Sequence, residues 1–137
     1  MSISDPIADA LTKIRNAYRA GHTQVIVNHN KLIEALVNIL AEENFVNSFQ
    51  VLDKDPEHKI NYKRILIILR YTNAGEPVIQ GIQRISKPGR RVYVKADKLP
   101  SVYNNTGCAV ISTSMGLMVD RDARLKNVGG EYICKVW

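Results

Sequence analysis

Ser112, Thr113 and Ser114 stand side by side where the apolar run Cys108–Ile111 stops. Such hydroxyls serve three kinds of chemistry. Nucleophilic catalysis needs a serine beside an activating base. The Gly-x-Ser-x-Gly elbow is missing, because Ser112 stands two places before Ser114, and Met115 fills the lysine place of a Ser-x-x-Lys pair starting at Ser112. His22, His29 and His58 all lie in the first half of the chain. Phosphate cradling needs a glycine-rich loop, and neither the P-loop nor the dinucleotide fingerprint occurs. The third chemistry is contact with RNA. Small hydroxyl residues let a backbone approach closely, and each both donates and accepts a hydrogen bond. That suits the 2′-OH groups and base edges on the wide, shallow minor groove of an RNA helix. It reads contour better than sequence, because Ser and Thr pair with any base edge. The plain alternative is a local Ser/Thr turn at a strand end, and residue types alone leave both readings open.

The distribution of charge favours RNA. The 137 residues carry a net charge of +6. Residues 1–74 hold nine Lys/Arg against eight Asp/Glu, whereas residues 75–137 hold ten against five. Within the second half, Arg84 to Lys98 has six basic residues and one acidic. A one-sided basic surface is an electrostatic footprint for phosphate backbones. Lys13, Arg15 and Arg19 read better as a solvated helix face. Cys108 and Cys134 sit in apolar segments and read as buried free thiols. Without a Cys-x-x-Cys pair or clustered histidines, no metal and no cofactor is expected. No apolar run approaches the ~20 residues of a membrane span, and the amphipathic N-terminus is not a signal peptide, so the chain is expected to stay in the cytoplasm.

Elements must position these groups. Asp5 as N-cap and Pro6 at the first helical position open a helix with Ile7, Leu11, Ile14 and Tyr18 on one face, and Gly21 stops it. Val25–Val27 reads as a strand. Asn30 caps a second helix, Lys31 to Glu43, with Asn44 as a left-handed stop. Two strands follow, Phe45–Leu52 and Tyr62–Thr72, the latter apolar toward both faces as a central strand is. This α-β-α-β-β order excludes a doubly wound fold, since its last two strands lack a connecting helix.

Asn73 to Pro77 reads as the boundary between an N-terminal subdomain, 1–74, and a C-terminal one, 75–137. In the second, Val78–Ile85 reads as a strand and Lys87-Pro88-Gly89-Arg90 as a type II turn. Arg91–Lys95 reads as a strand carrying Tyr93, and Leu99–Gly107 as a loop broken by Asn104-Asn105. Cys108–Ile111 is a strand, Asp120–Asn127 a short helix capped by Asp120 and stopped by Gly129-Gly130, and Glu131–Trp137 the last strand. The fold class is therefore α+β: an N-terminal α-β-α-β-β unit beside a mostly antiparallel C-terminal sheet with one short helix.

The stretch from Ile111 to Trp137, ISTSMGLMVDRDARLKNVGGEYICKVW, resembles the C-terminal signature of the eighth protein of the small ribosomal subunit, the bacterial S-eight family. The likeness extends to RISKPGRRVYVKADKLP and to SDPIADALTKIRNA, nearly the whole chain. It implies a non-enzymatic structural constituent of the small ribosomal subunit, in the cytoplasm. Such a protein binds a helix in the central domain of small-subunit rRNA early in assembly and adjoins neighbouring ribosomal proteins. A translational repressor role at a like-shaped mRNA site is implied as well. Carried over residue by residue, the RNA-binding positions are Ser112, Thr113, Ser114 and Gly116; Gly129, Gly130 and Glu131; Lys87, Pro88, Gly89, Arg91 and Tyr93; and Lys31. Arg90 is added to them as this chain's own basic residue in the same turn. Two positions depart from the family pattern. Met115 stands where relatives usually carry a basic residue, and Arg90 where they usually carry an apolar one. The rivals are a small serine hydrolase using Ser112 or Ser114, separable by a serine-directed probe against salt-dependent RNA binding, and a protein-binding adaptor, for which Ser114→Ala and Arg91→Ala would leave RNA affinity unchanged.

Overall fold

The computed structural model describes residues 5–103 and 106–137, so the sequence readings at Ser4 and Asn104-Asn105 lie outside the described residues. The chain divides into two compact units, Pro6–Val78 and Ile79–Trp137, the latter taking in Asp5.

The first unit has the α-β-α-β-β order: α1 Pro6–Arg19, β1 Gln24–Asn28, α2 Lys31–Glu42, β2 Ser48–Leu52 and β3 Arg64–Ile68. β3 is central in an antiparallel sheet ordered β1-β3-β2. Helix boundaries follow the cap residues. The Asn30 side chain accepts from the Ile33 N–H at 2.7 Å. Asn44 takes the left-handed conformation at φ 63° after α2, and Gly21 does so at φ 73° after α1. Ile14, Leu36, Val37 and Leu40 from the helices and Val27, Ile65 and Ile67 from the sheet are buried in the core, each contributing roughly 1.5–3 kcal/mol by burial. The Tyr18 hydroxyl donates to the Phe45 carbonyl at 2.6 Å and accepts from the Arg70 N–H at 3.1 Å, tying α1 to both ends of the β2–β3 region.

The second unit holds β4 Ile82–Arg84, β5 Tyr93–Val94, β6 Cys108–Thr113, β7 Gly116–Val119, α3 Asp120–Lys126 and β8 Gly130–Val136. Its sheet runs β4-β8-β6-β7, all antiparallel, and β5 also pairs with β8. The register shifts between Val110↔Cys134 and Ile111↔Tyr132, so Ile133 is an extra residue on β8. Ile133 and Cys134 are both buried, as are Cys108 to Ile111 on β6, because both faces of the sheet are covered at this point. On one face Val102 lies in a core with Ala109 and Ile111, against Val94, Leu99, Tyr132 and Trp137.

Several sequence expectations are corrected. β7 was not expected, β6 runs on through Thr113, and the strand expected over Val78–Ile85 is confined to Ile82–Arg84. Asp120 does not cap α3; Val119 holds that place, and the buried Asp120 carboxylate instead accepts from the Ala109 N–H at 3.1 Å and pairs with Arg124 at 2.9 Å. Asn127, left-handed at φ 53°, ends α3 rather than Gly129-Gly130. The Lys87–Arg90 turn closes with hydrogen bonds in both directions, but Gly89 lacks the positive φ that type II requires.

Candidate nucleic-acid interface

Ser112 and Thr113 end β6, Ser114 and Met115 form the turn, and Gly116 begins β7 opposite Thr113. Neither Ser114 nor Met115 has positive φ; Gly116 takes it instead, at 108°. The Thr113 hydroxyl fixes this geometry. It accepts from the Met115 N–H at 3.0 Å and donates to the Gly116 carbonyl at 2.8 Å. Among the described residues, no side-chain hydrogen bond engages the hydroxyls of Ser112 or Ser114. Ser114 is exposed, Ser112 half-buried, and Met115 is 60% exposed at the tip. The three hydroxyls therefore divide into one that shapes the turn and two that are free to meet a ligand.

Strand pairing extends this tip into a surface. Leu117, Ser112, Glu131 and Tyr93 are opposite one another on β7, β6, β8 and β5. Directly paired residues share a face, and strands are about 4.8 Å apart. Ser112 and Tyr93, two strands apart, thus lie about 10 Å from each other on one face, and Tyr93 is 70% exposed. The start of β8 fits between its neighbours only because it has no side chains. A Cβ on Gly129 would meet the Val94 carbonyl oxygen at 2.3 Å, and one on Gly130 the Ser112 carbonyl oxygen at 2.1 Å.

Glu131 is held at the centre of the row. Its Oε2 accepts from the Ser86 hydroxyl at 2.5 Å and from the Arg91 guanidinium at 3.0 Å. Ser86, fully buried, also accepts from the Val92 N–H at 3.1 Å. Sequence reasoning did not single out Ser86, because a lone serine before a Lys-Pro turn carries no distinguishing pattern.

The six basic residues from Arg84 to Lys98 are not equivalent. Arg84 is nearly buried, paired with Asp5 at 3.1 Å and donating to the Ile133 carbonyl at 2.8 Å. Arg91 shares its charge with Glu131. Lys87, Arg90, Lys95 and Lys98 are exposed and form no ion pair among the described residues. Lys87 and Arg90 flank the exposed Pro88-Gly89 turn and line an open groove with Gln83, Arg84, Ile85 and Val92. Lys31 belongs to the other unit, exposed at the start of α2 and likewise without an ion pair.

Free hydroxyls, an exposed phenol ring and uncommitted cations can bind 2′-OH groups, sugars and phosphates. Among the described residues no histidine or lysine is hydrogen-bonded to Ser112 or Ser114, and no three metal-ligating side chains converge. Cys108 and Cys134 are buried free thiols, and burial pushes the Cys134 thiol up to about 12. No described helix is long and apolar enough to cross a membrane.

These features define an α+β protein whose exposed chemistry is that of recognition. The family model described as Ribosomal protein S8 matches residues 5–137. The chain is 45% identical over 137 residues to small ribosomal subunit protein uS8 of Natranaerobius thermophilus, covering 100% of both chains. It is 47% identical over 137 residues to that of Anaeromyxobacter dehalogenans, again with 100% of both covered, and 47% identical over 134 residues to that of Chlamydia abortus, covering 98% and 97%. The chain belongs to the ribosomal protein S8 family, whose members are structural and not enzymes.

Proposed function

We propose that this chain is a structural constituent of the small ribosomal subunit that binds a helix in the central domain of small-subunit rRNA, supports assembly there, and adjoins neighbouring ribosomal proteins. The observation that carries the reading is the Thr113–Gly116 hairpin, whose turn is locked by one hydroxyl while Ser112 and Ser114 keep theirs uncommitted. Ser114 and Ser112 meet the minor groove of the helix, and Tyr93 reaches a sugar or base from the same face. Lys87 and Arg90 neutralise phosphates, which positions the protein without specifying sequence. Glu131 contributes less by direct contact than by fixing Arg91 and the β8 strand, and Gly129, Gly130 and Gly116 act by permitting the backbone path. Lys31 is a phosphate contact of the other unit. Because hydroxyls read contour, an mRNA segment folded to the same shape would occupy the same surface, which is the basis for repression of translation.

The test is titration of the chain with small-subunit rRNA over a range of salt concentrations. A specific complex whose affinity falls steeply with salt supports the reading, because counterion release drives such binding. Affinity no greater than for an unrelated RNA duplex would defeat it.

A further inference from the structure

Three side chains of the Ile79–Trp137 unit form a cluster that the hydroxyl hairpin does not use. The Tyr103 ring lies against the Trp137 ring, with centroids 5.3 Å apart and an interplanar angle of 52°. The Lys135 Nζ stands over the Trp137 ring, 5.4 Å from its centroid. The cluster is on the opposite face of the sheet from Ser112 and Tyr93. Lys135 pairs with Ala109 and Tyr132 with Ile111, whereas Ser112 pairs with Glu131 and so alternates to the other side. Trp137 packs on the same face, against Val102, Ala109 and Ile111.

The two rings have different duties. Trp137 is committed to packing: a Cβ on Gly81 would meet its indole at 2.2 Å. Tyr103 is 57% exposed, and no hydrogen bond engages its hydroxyl among the described residues. Its backbone is nonetheless fixed. The Tyr103 carbonyl accepts from the Thr106 N–H at 3.0 Å and from the Thr106 hydroxyl at 2.6 Å. The residue takes φ 47°, a left-handed conformation uncommon for a tyrosine. Covering the core requires Trp137; it does not require a tyrosine ring held in solvent. Lys135 forms no ion pair among the described residues. Residues 79–137 carry ten Lys/Arg against four Asp/Glu, and two of those acids, Asp120 and Glu131, are already paired with arginines.

We propose that Tyr103, Trp137 and Lys135 form a second RNA site, which takes unpaired nucleotides: a base stacks on Tyr103, backed by Trp137, and Lys135 meets the adjoining phosphate. A fixed aromatic platform beside an uncommitted cation is the chemistry of single-strand binding. A duplex keeps its base faces stacked on one another and cannot use the ring. An acidic peptide would use Lys135 and leave Tyr103 idle, and an apolar one would strand the Lys135 charge. The inference goes beyond the proposed function, which requires a duplex on the other face, and rests on it only for the presence of RNA.

Trp137 is the chain's only tryptophan, so its fluorescence reads the site directly. The chain is titrated separately with decauridylate, which stays unpaired, with polyglutamate, an anion without bases, and with an isolated helix fragment of small-subunit rRNA. The expected result is quenching by decauridylate that polyglutamate does not reproduce. Tyr103→Asn suits the left-handed backbone and should weaken decauridylate binding about tenfold, the scale of one base–aromatic stack. Tyr103→Phe keeps the ring and should bind like the parent chain, and Lys135→Gln should bind several-fold more weakly. All three variants should hold the helix fragment with unchanged affinity, and circular dichroism shows that each is folded. No quenching, equal quenching by polyglutamate, or undiminished decauridylate affinity in Tyr103→Asn would each overturn the inference. A helix fragment that fails to bind the parent chain would defeat the proposed function while leaving the decauridylate readout intact.

Discussion

Gly130 lies so close to Ser112 that a Cβ on the glycine would stand 2.1 Å from the serine carbonyl oxygen, a backbone atom that cannot swing aside. β8 and β6 therefore approach at the base of the hydroxyl hairpin in a way only glycine permits. Gly130→Ala should destabilise the fold by about 1–3 kcal/mol, the range for overpacking a well-packed site. Denaturant unfolding measures this. RNA affinity should fall as well, because the strand that carries Ser112 must shift.

Within the hairpin, Ser114→Ala should weaken the rRNA complex by about 1–3 kcal/mol, the scale of one specific contact. Thr113→Val should weaken it too, by loosening the turn, since the Thr113 hydroxyl bonds both Met115 and Gly116. Thr113→Ser keeps the hydroxyl and should bind like the parent chain. Equilibrium binding of the three variants at one fixed salt concentration distinguishes the contacting hydroxyl from the shaping one.

Charge partners decide the salt dependence. Lys87→Ala and Arg90→Ala should each reduce the slope of log affinity against log salt by about one unit. Arg91→Ala should change it less, because Arg91 already shares its charge with Glu131. Slopes from titrations at four or more salt concentrations check the order.

Stability should fall at high pH. Burial pushes Cys134 from 9.0 to about 12 and Tyr132 from 10.0 to about 12, and raises Tyr18 as well. The folded state thus favours the protonated forms. Their contribution is complete below about pH 9 and is lost as pH rises toward 12, as the unfolded chain releases these protons first. Urea midpoints measured from pH 7 to 11 should decline only above about pH 9.

Much of this architecture is written in local residue chemistry. Asn30, Asn44 and Gly21 mark helix ends by side chains or conformations that little else supplies, and β3 shows its central place by being apolar on both faces. The C-terminal unit was harder to read where one residue type serves two purposes. Gly129-Gly130 resembles a helix stop, but Asn127 does that work and the glycines serve strand packing. The Ser114-Met115 turn lacks the Asn-Gly or Asp-Gly pair that announces a hairpin, so β7 stayed hidden. Asp120 sits where a cap would, yet its carboxylate is committed to a strand amide eleven residues earlier in the chain. That partnership is tertiary and leaves no local trace. The candidate site was legible as residue types at Ser112–Ser114, while their division of labour depends on hydrogen bonds that only the folded turn creates.

The central claim is that the hairpin tip lies against one RNA helix. Met115 is exposed at that tip, whereas Cys108 and Cys134 are buried, so Met115→Cys offers a single reactive thiol for a tethered iron chelate. Hydroxyl radicals released from it in a complex with intact small-subunit rRNA report what surrounds the tip. The account predicts strong cleavage confined to the two strands of one helix, facing each other across its minor groove. Cleavage scattered over many sites, or none in a complex that binds with full affinity, would contradict it.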